Sequence, residues 1–466
     1  MIFRPYYLGC LSHASYLVAD EGTRTAVVVD PQRDVEQYLE EARRLGVSIR
    51  HVVLTHLHAD FVAGHLELAE ATGAAIHVGA RARAEYPHVP VKDGDRIELG
   101  SVRLTFLETP GHTPESVCVL VHDLDADPRD PVAVLTGDTL FLGDVGRPDL
   151  MASVGVTAEE LASQLYDSLH GKLLRLPDAT VVWPAHGAGS LCGKSLSSEP
   201  SSPLGVQRRT NYALAPMSRE AFVSLVTADQ PEAPAYFAFD ADLNRRRRAT
   251  LSTSLGRALS PLPIEAVLRL RDGGATLLDV RGTAEFASAH LAGSLNVGLG
   301  GKYATWAGTL VDRQHPIVLC ADPGREEEAA LRLGRIGFDH VAGVVADLHG
   351  VLASRPELVA RTRRTSPVEL LRRQAQGTAP LVVDVRGAGE WAADHIEGSV
   401  NLPLPRLRDL MDRIPREGEV VVGCQSGYRS SLATSLLERE GFGNLSDLVG
   451  GWIAYEAARA PSFPPP

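Results

Sequence analysis

The sequence predicts a layered α/β protein with one larger N-terminal domain and two smaller copies of a parallel-sheet module. Three observations carry this. The first 240 or so residues alternate strand-like and helix-like segments, the mark of stacked sheet and helix layers. Beyond them the chain repeats itself: Leu278-Asp279-Val280-Arg281-Gly282 returns as Val383-Asp384-Val385-Arg386-Gly387, and His290 returns as His395. Each copy runs strand, Asp-Val-Arg turn, helix, strand, cysteine loop, helix, an order that favours a small parallel sheet covered by helices. A repeat this long means duplicated domains, not a solenoid.

The elements follow in order. Thr25 to Asp30 reads as a buried strand ending in an Asp-Pro turn. Asp34 to Leu45 has helical spacing, with Val35, Leu39 and Ala42 on one face. Ser48 to Leu54 is a strand that runs directly into Thr55-His56-Leu57-His58-Ala59-Asp60. A helix from about Gly64 to Thr72 and a strand at Ala74 to Val78 come next. Further strands are expected at Val102 to Leu107, Ser116 to His122, Val132 to Thr136 and Thr180 to Trp183. The expected divisions are a domain over 1–245, a linker over 246–262, a first copy over 263–360 and a second over 364–460. Four arginines, Arg245 to Arg248, sit at the linker and read as solvated or interdomain charge. Gly298 to Tyr303 lacks the Walker spacing and reads as a loop.

Composition narrows the function classes. The 466 residues carry 46 basic and 58 acidic side chains, a net charge of −12, which repels nucleic acid and anionic membranes. No stretch approaches the roughly 20 apolar residues of a membrane span. The N-terminus carries no signal-peptide pattern. Five cysteines are too few, and odd in number, for a disulfide framework, so reduced thiols in a cytoplasm are expected.

Four strand-end loops carry metal-ligand chemistry. They hold His56, His58 and Asp60; His112 in Thr109-Pro110-Gly111-His112; Asp138 in Thr136-Gly137-Asp138; and His186 in Pro184-Ala185-His186. Histidines and carboxylates converging from such loops suit a first-row metal. A second chemistry lies at Cys424-Gln425-Ser426-Gly427-Tyr428-Arg429, which follows an apolar strand and opens a helix. Backbone N–H groups and the helix dipole there favour a thiolate and bound anions. Arg429 adds positive charge, and the small Ser430 and Ser431 leave room. The first copy has Cys320-Ala321-Asp322-Pro323-Gly324-Arg325, followed by Glu326, Glu327 and Glu328. Those carboxylates oppose a thiolate, and Pro323 removes a donor. Cys320 therefore reads as structural, with a relay thiol as the sharper alternative. Cys10 and Cys118 read as core residues, and Cys192 as a thiol bordering the metal pocket.

The pattern HxHxD, His, Asp, His resembles the metallo-β-lactamase superfamily over about residues 1–240, which implies an αββα domain. Where binuclear hydrolases of that superfamily have a histidine after the aspartate, this chain has Phe61. The departure leaves His56, His112 and Asp138, the two-histidine, one-carboxylate set of non-haem Fe(II) oxygenases. Within the superfamily, Gly143 to Asp149 and Ala185 to Ser190 resemble the persulfide dioxygenases. That resemblance implies mononuclear Fe(II), a low-molecular-weight persulfide (of glutathione, coenzyme A or a similar thiol) and O2 as substrates, and sulfite as product. It also implies that His58, Asp60 and His186 orient the ligands, and that Arg147 binds an anionic thiol. Residues 365–460 resemble rhodanese. Cys424 becomes the nucleophile assisted by Arg429, with Gln425, Ser426, Gly427 and Tyr428 forming the substrate cradle and sulfite or thiosulfate passing through it. The superfamily implies a homo-oligomer, dimer or tetramer. A glyoxalase-II-like zinc thioester hydrolase is the alternative for the N-terminal domain. A third reading makes the rhodanese copies sensing or docking modules.

Overall fold

The computed structural model describes residues 1–150, 155–194, 196–228, 230 and 233–459; residue 460, the expected end of the second copy, lies outside them. The chain divides into two compact units. One comprises residues 1–253 with 334–337, the other residues 254–333 and those from 338 onward. Among the described residues no helix is long and apolar enough to cross a membrane.

The N-terminal unit is a four-layer αββα sandwich. Its first sheet has six strands in sequence order: Ile2–Leu8, His13–Asp20, Thr25–Val29, Ser48–Leu54, Ala75–Gly79 and Val89–Val91. The second also has six: Ser202–Pro203, Val181–Pro184, Ala133–Gly137, Val117–Asp123, Val102–Glu108 and Arg96–Glu98. Strand alternation explains the layers. Val27 and Val29 face the other sheet, where they meet Val102, Leu104, Phe106, Val119 and Val121. Ala26 and Val28 face outward and pack with Tyr38, Ala42 and Leu68 of the helices Glu36–Leu45 and His65–Thr72. A strand buried on both faces needs a continuous apolar run, which is what residues 26–29 supply. The outer face of the second sheet packs on Ala162, Leu165, Leu204 and Phe222.

The N-terminal hairpin, Ile2–Leu8 with His13–Asp20, forms two strands that the sequence did not predict. His13 opens the inner strand and bridges to His186, which joins the two sheets at the end where the histidine loops gather.

The segment expected to be a linker is largely structured. The helix Tyr236–Arg245 precedes it, and the helix Leu251–Ala258 and the strand Pro261–Leu262 lie within it. Arg248 is not solvated: its guanidinium lies 2.5 Å and 2.9 Å from the two Glu67 oxygens, and Arg33 reaches Glu67 at 3.1 Å. A buried carboxylate between two guanidiniums explains why this part of the arginine run turns inward.

In the C-terminal unit the two copies have the same five-stranded parallel sheet. The first copy orders its strands Pro261–Leu262, Val341–Val345, Ile317–Cys320, Thr276–Asp279, Leu295–Asn296. The second orders them Arg363–Thr365, Leu445–Leu448, Val420–Gly423, Leu381–Asp384, Val400–Asn401. In each, the cysteine leaves the central strand at its C-terminal end.

Replacing Glu67 by Ala removes a buried carboxylate that pairs with both Arg33 and Arg248. The expected loss is about 3 kcal/mol or more, because a buried ion pair is broken. Thermal unfolding of Glu67→Ala beside Glu67→Gln measures it.

Candidate metal centre and cysteine loops

Each metal-ligand candidate leaves the C-terminal end of a strand and is buried: His56, His58, Asp60, His112, Asp138 and His186 are all 5% exposed or less. His56 Nε2 and His112 Nε2 lie 3.8 Å and 3.5 Å from Asp138 Oδ2. The far ring nitrogens are held. His56 Nδ1 meets Thr55 Oγ1 at 3.0 Å, and His112 Nδ1 meets the Arg147 carbonyl at 2.9 Å. For His112 this places the ring proton on Nδ1 and the lone pair on Nε2, the arrangement that orients a metal-ligating histidine. Gly146 makes it reachable. Any Cβ there would run into the Asp138 carbonyl and sit 3.0 Å from His112 Nδ1.

The electrostatics favour a cation. Burial pushes His112 and His186 down to about 4, and His56 well below its ordinary value. The imidazoles are therefore neutral at neutral pH, the form that binds metal. Burial, with Asp60 nearby, drives the Asp138 carboxyl well up. Neither Asp138 oxygen, nor His186 Nε2, meets a well-aligned hydrogen-bond partner among the described residues. Orphaned ligand atoms on buried, neutral histidines and a destabilised carboxylate fit a divalent metal on His56, His112 and Asp138.

A second group of ligand atoms lies on the other side of Asp138. His186 Nε2 is 3.6 Å from Asp138 Oδ1 and 3.5 Å from Asp60 Oδ2, and the Cys192 thiol lies with Asp60 and His186. Burial together with Asp60 and Asp138 keeps that thiol protonated in the bare site. Phe61 is fully buried, its ring 4.1 Å from His13 and 4.4 Å from His58. It fills with carbon a place next to the aspartates. His58 turns away from Asp138 and toward Asp30, with Nε2 3.0 Å from Oδ1. A cavity of about 140 Å³ opens on His112, walled by Leu57, Ala59, Phe237 and Ala241, with Asp242 and Arg245 at its charged part.

Sequence reasoning missed Asp30, Thr55 and His13. Asp30 accepts from Thr55 N–H at 2.7 Å and from Thr55 Oγ1 at 2.8 Å, and its carbonyl lies 2.8 Å from His13 Nε2. One signal was available: Asp30 takes a positive φ of 50°, and an Asp-Pro turn at a strand end tolerates that strain. Arg147 is buried: its side chain is 1% exposed, and its guanidinium meets Asp149 at 2.8 Å and 2.7 Å. Its carbonyl orients His112. The charged residues lining the cavity are Glu115, Asp242 and Arg245, the last two on the helix Tyr236–Arg245 and paired with each other.

In the second copy Cys424 leaves Val420–Gly423, and Gly427 caps the helix Tyr428–Arg439. Gly427 N–H points at Cys424 Sγ at 3.2 Å. Arg429 interacts electrostatically with Cys424. It forms a two-pronged pair with Glu390 at 2.6 Å and 2.7 Å, so part of its charge is already neutralised. Gln425 is half-buried, its Oε1 held by Arg386 at 3.1 Å, and Ser426 is exposed at the loop tip. The Tyr428 side chain lies away from the cysteine loop. The ring inserts into the first copy, and its hydroxyl donates to the Gly298 carbonyl at 2.7 Å. A Cβ on Gly301 would stand 2.5 Å from that ring. The glycine-rich loop of the first copy is thus the seat for a side chain of the reactive loop.

Cys320 closes the strand Ile317–Cys320, opposite Asp279. It is fully buried, and burial together with Asp279 pushes its thiol far up, against the opposing pull of Arg281. Asp322 bonds His349 at 3.0 Å, and Arg325 is taken by Glu328 at 2.7 Å.

Known proteins match both halves. Residues 8–186 match the metallo-β-lactamase superfamily, and residues 263–348 and 366–458 match the rhodanese-like domain. A crystal structure of a metallo-β-lactamase from Staphylococcus aureus is 31% identical, with a TM-score of 0.65, over 74% of this chain and 98% of that one. The chain belongs to the metallo-β-lactamase superfamily. The mitochondrial persulfide dioxygenase of Bos taurus is 29% identical over 40% of this chain and 68% of its own length. A hydroxyacylglutathione hydrolase of Gloeobacter violaceus is 36% identical over 37% of this chain and 62% of its own length. The metallo-β-lactamase domain is followed by two rhodanese-like α/β domains with parallel sheets, so the expected fold class is what the structure has.

Two outcomes are expected here. Thr55→Val removes the hydroxyl beside His56 Nδ1, and metal affinity should fall by about 10- to 100-fold in chelator competition. Gly301→Val should displace the Tyr428 ring and lower thiosulfate turnover at Cys424 while leaving the metal content unchanged, measured on one preparation by sulfurtransferase assay and elemental analysis.

Proposed function

We propose that the metallo-β-lactamase domain is a persulfide dioxygenase and that the second rhodanese-like domain transfers sulfane sulfur through Cys424. The observation that carries the first half is the donor set, two imidazoles and one carboxylate, with the carbon ring of Phe61 packed against His13 and His58. Iron(II) on His56, His112 and Asp138 would bring persulfide sulfur and O2 together at one centre, chemistry outside the reach of zinc. The balanced reaction takes RSSH, O2 and water to RSH, sulfite and two protons. The chain's own part is to hold the carrier thiol and exclude water. The apolar walls at Leu57, Ala59 and Phe237 accept its carbon skeleton, and Arg245 with Asp242 meets its polar end. That wall composition suits a small organic thiol such as glutathione. Sulfite then accepts sulfur from a Cys424 persulfide, giving thiosulfate and the Cys424 thiolate, or the reverse runs. Carrying both sites on one chain raises the local concentration of sulfite.

A specific observation favours a second reading. Asp60, His186 and Cys192 form a further ligand group that shares Asp138 with the first, as in a two-metal hydrolase. Under it the domain is a zinc thioester hydrolase. Iron-loaded protein should consume O2 with glutathione persulfide, and Asp138→Asn should abolish the uptake. Two zinc ions per chain with thioester turnover and no O2 uptake would overturn the dioxygenase. Cys424→Ser should leave O2 uptake intact and end thiosulfate formation.

A further inference from the structure

A short series of side chains leads from the Cys424 sulfur into the interior of the second copy. Cys424 Sγ–H reaches Ser430 Oγ at 3.6 Å, and Ser430 Oγ–H reaches Asp447 Oδ1 at 2.6 Å. Their exposures are 2%, 0% and 1%. Ser430 is the third residue of the helix Tyr428–Arg439. Asp447 lies on Leu445–Leu448, the strand beside the one that delivers Cys424, opposite Val422.

We propose that Ser430 and Asp447 form a proton relay that takes the thiol proton from Cys424, with Asp447 as the terminal acceptor. This rests on the reading of Cys424 as the sulfur-transfer nucleophile. The Cys424 S–H bond breaks and its proton passes to Ser430 Oγ, while the proton on Ser430 passes to Asp447 Oδ1. The result is a thiolate, an intact hydroxyl and a neutral carboxyl. One negative charge exists before and after; only its place changes. The thiolate then attacks the outer sulfur of thiosulfate. A new S–S bond forms, the donor S–S bond breaks, and sulfite leaves with the electron pair.

The surroundings drive the charge toward the sulfur. Burial pushes the Asp447 carboxyl up to about 6, against the opposing pull of Ser430 and of Arg364, whose Nε is 3.3 Å from Oδ2. Burial, with Asp447 nearby, pushes up the carboxyl of Glu438, on the same helix as Ser430. At the sulfur stand Gly427 N–H, the helix N-terminus and Arg429, the last shared with Glu390. Arg386 is committed to Asp384 at 2.7 Å. A neutral Asp447 also leaves the persulfide anion without a second charge behind it.

The duplication supplies an internal comparison. Asp279 pairs with Cys320 where Asp384 pairs with Gly423, which puts Ala321 at the place of Cys424, Glu327 at that of Ser430 and Val344 at that of Asp447. The first copy lacks the cysteine at that place and both relay members.

The test is the pH dependence of iodoacetamide alkylation at Cys424 in the full-length protein, read by mass spectrometry of that peptide. Asp447→Asn and Ser430→Ala should each shift the profile up by about one unit, a tenfold lower rate at neutral pH. Both should rejoin the parent protein in alkali, and Ser430→Thr should stay close to it. Below about 6, where Asp447 already holds a proton, the parent protein should lose its advantage. Superimposed profiles for Ser430→Ala and the parent, or an equal loss at every pH, would overturn the relay. The Ser430 pair decides the matter even where Asp447→Asn folds poorly. Transfer of sulfur from thiosulfate to cyanide is measured separately. Its persistence in Cys424→Ser would sink the nucleophile reading, while the alkylation series still judges the relay.

Discussion

The N-terminal domain is organised around the burial of the Asp138 carboxyl group. Asp138 is 1% exposed, lies between two sets of imidazole and carboxylate atoms, and has no aligned donor among the described residues. Burying such a charge costs several kcal/mol unless a cation offsets it. The surrounding residues prepare that offset. Arg147 lends its carbonyl to His112, Ser12 lends its carbonyl to His186 at 3.2 Å, and Thr55 lies between His56 and Asp30. The sandwich positions the donors, because each ligand loop leaves a strand at the same end of the two sheets.

The C-terminal unit handles charge differently. Its candidate nucleophile is a thiol at a helix start, with a hydroxyl and a carboxylate behind it. Both copies keep the central strand, with a cysteine at its end and an arginine five residues later, but Cys320 closes the strand opposite Asp279 while Cys424 follows it. In one copy that arginine serves Glu328, and the sulfur is sealed in the core beside Asp279. In the other a backbone N–H faces the sulfur, and a hydroxyl and a carboxylate stand behind it. The first copy is also used: Gly298 and Gly301 seat Tyr428, and Asn296 accepts the Ser431 hydroxyl at 2.7 Å.

Much of this was legible in the sequence. Strong local patterns marked the strand Ser48–Leu54 and the helices after it, and the repeat announced two copies of one sheet. The ligand set was legible because each histidine or aspartate abuts an apolar strand. Other features left no local trace. The N-terminal hairpin lacks a turn signature of the Asn-Gly kind. The pairing of buried Arg147 with Asp149 shows only in the fold. Arg248 looked like linker charge, yet Glu67, far away in sequence, draws it inside.

The amino-acid sequence by itself determined the fold class, the duplication and the loops that carry candidate metal ligands and the Cys424 thiol, because periodicity and motif spacing are local properties. Only the tertiary structure decided which side chains complete each site. Asp30 and His13 join the metal centre, Asp447 and Ser430 stand behind Cys424, and Tyr428 leaves its own loop. Those pairings depend on burial and on distances between residues remote in the chain. Burial sets the protonation of His112, Asp138 and Asp447, and no local pattern records it.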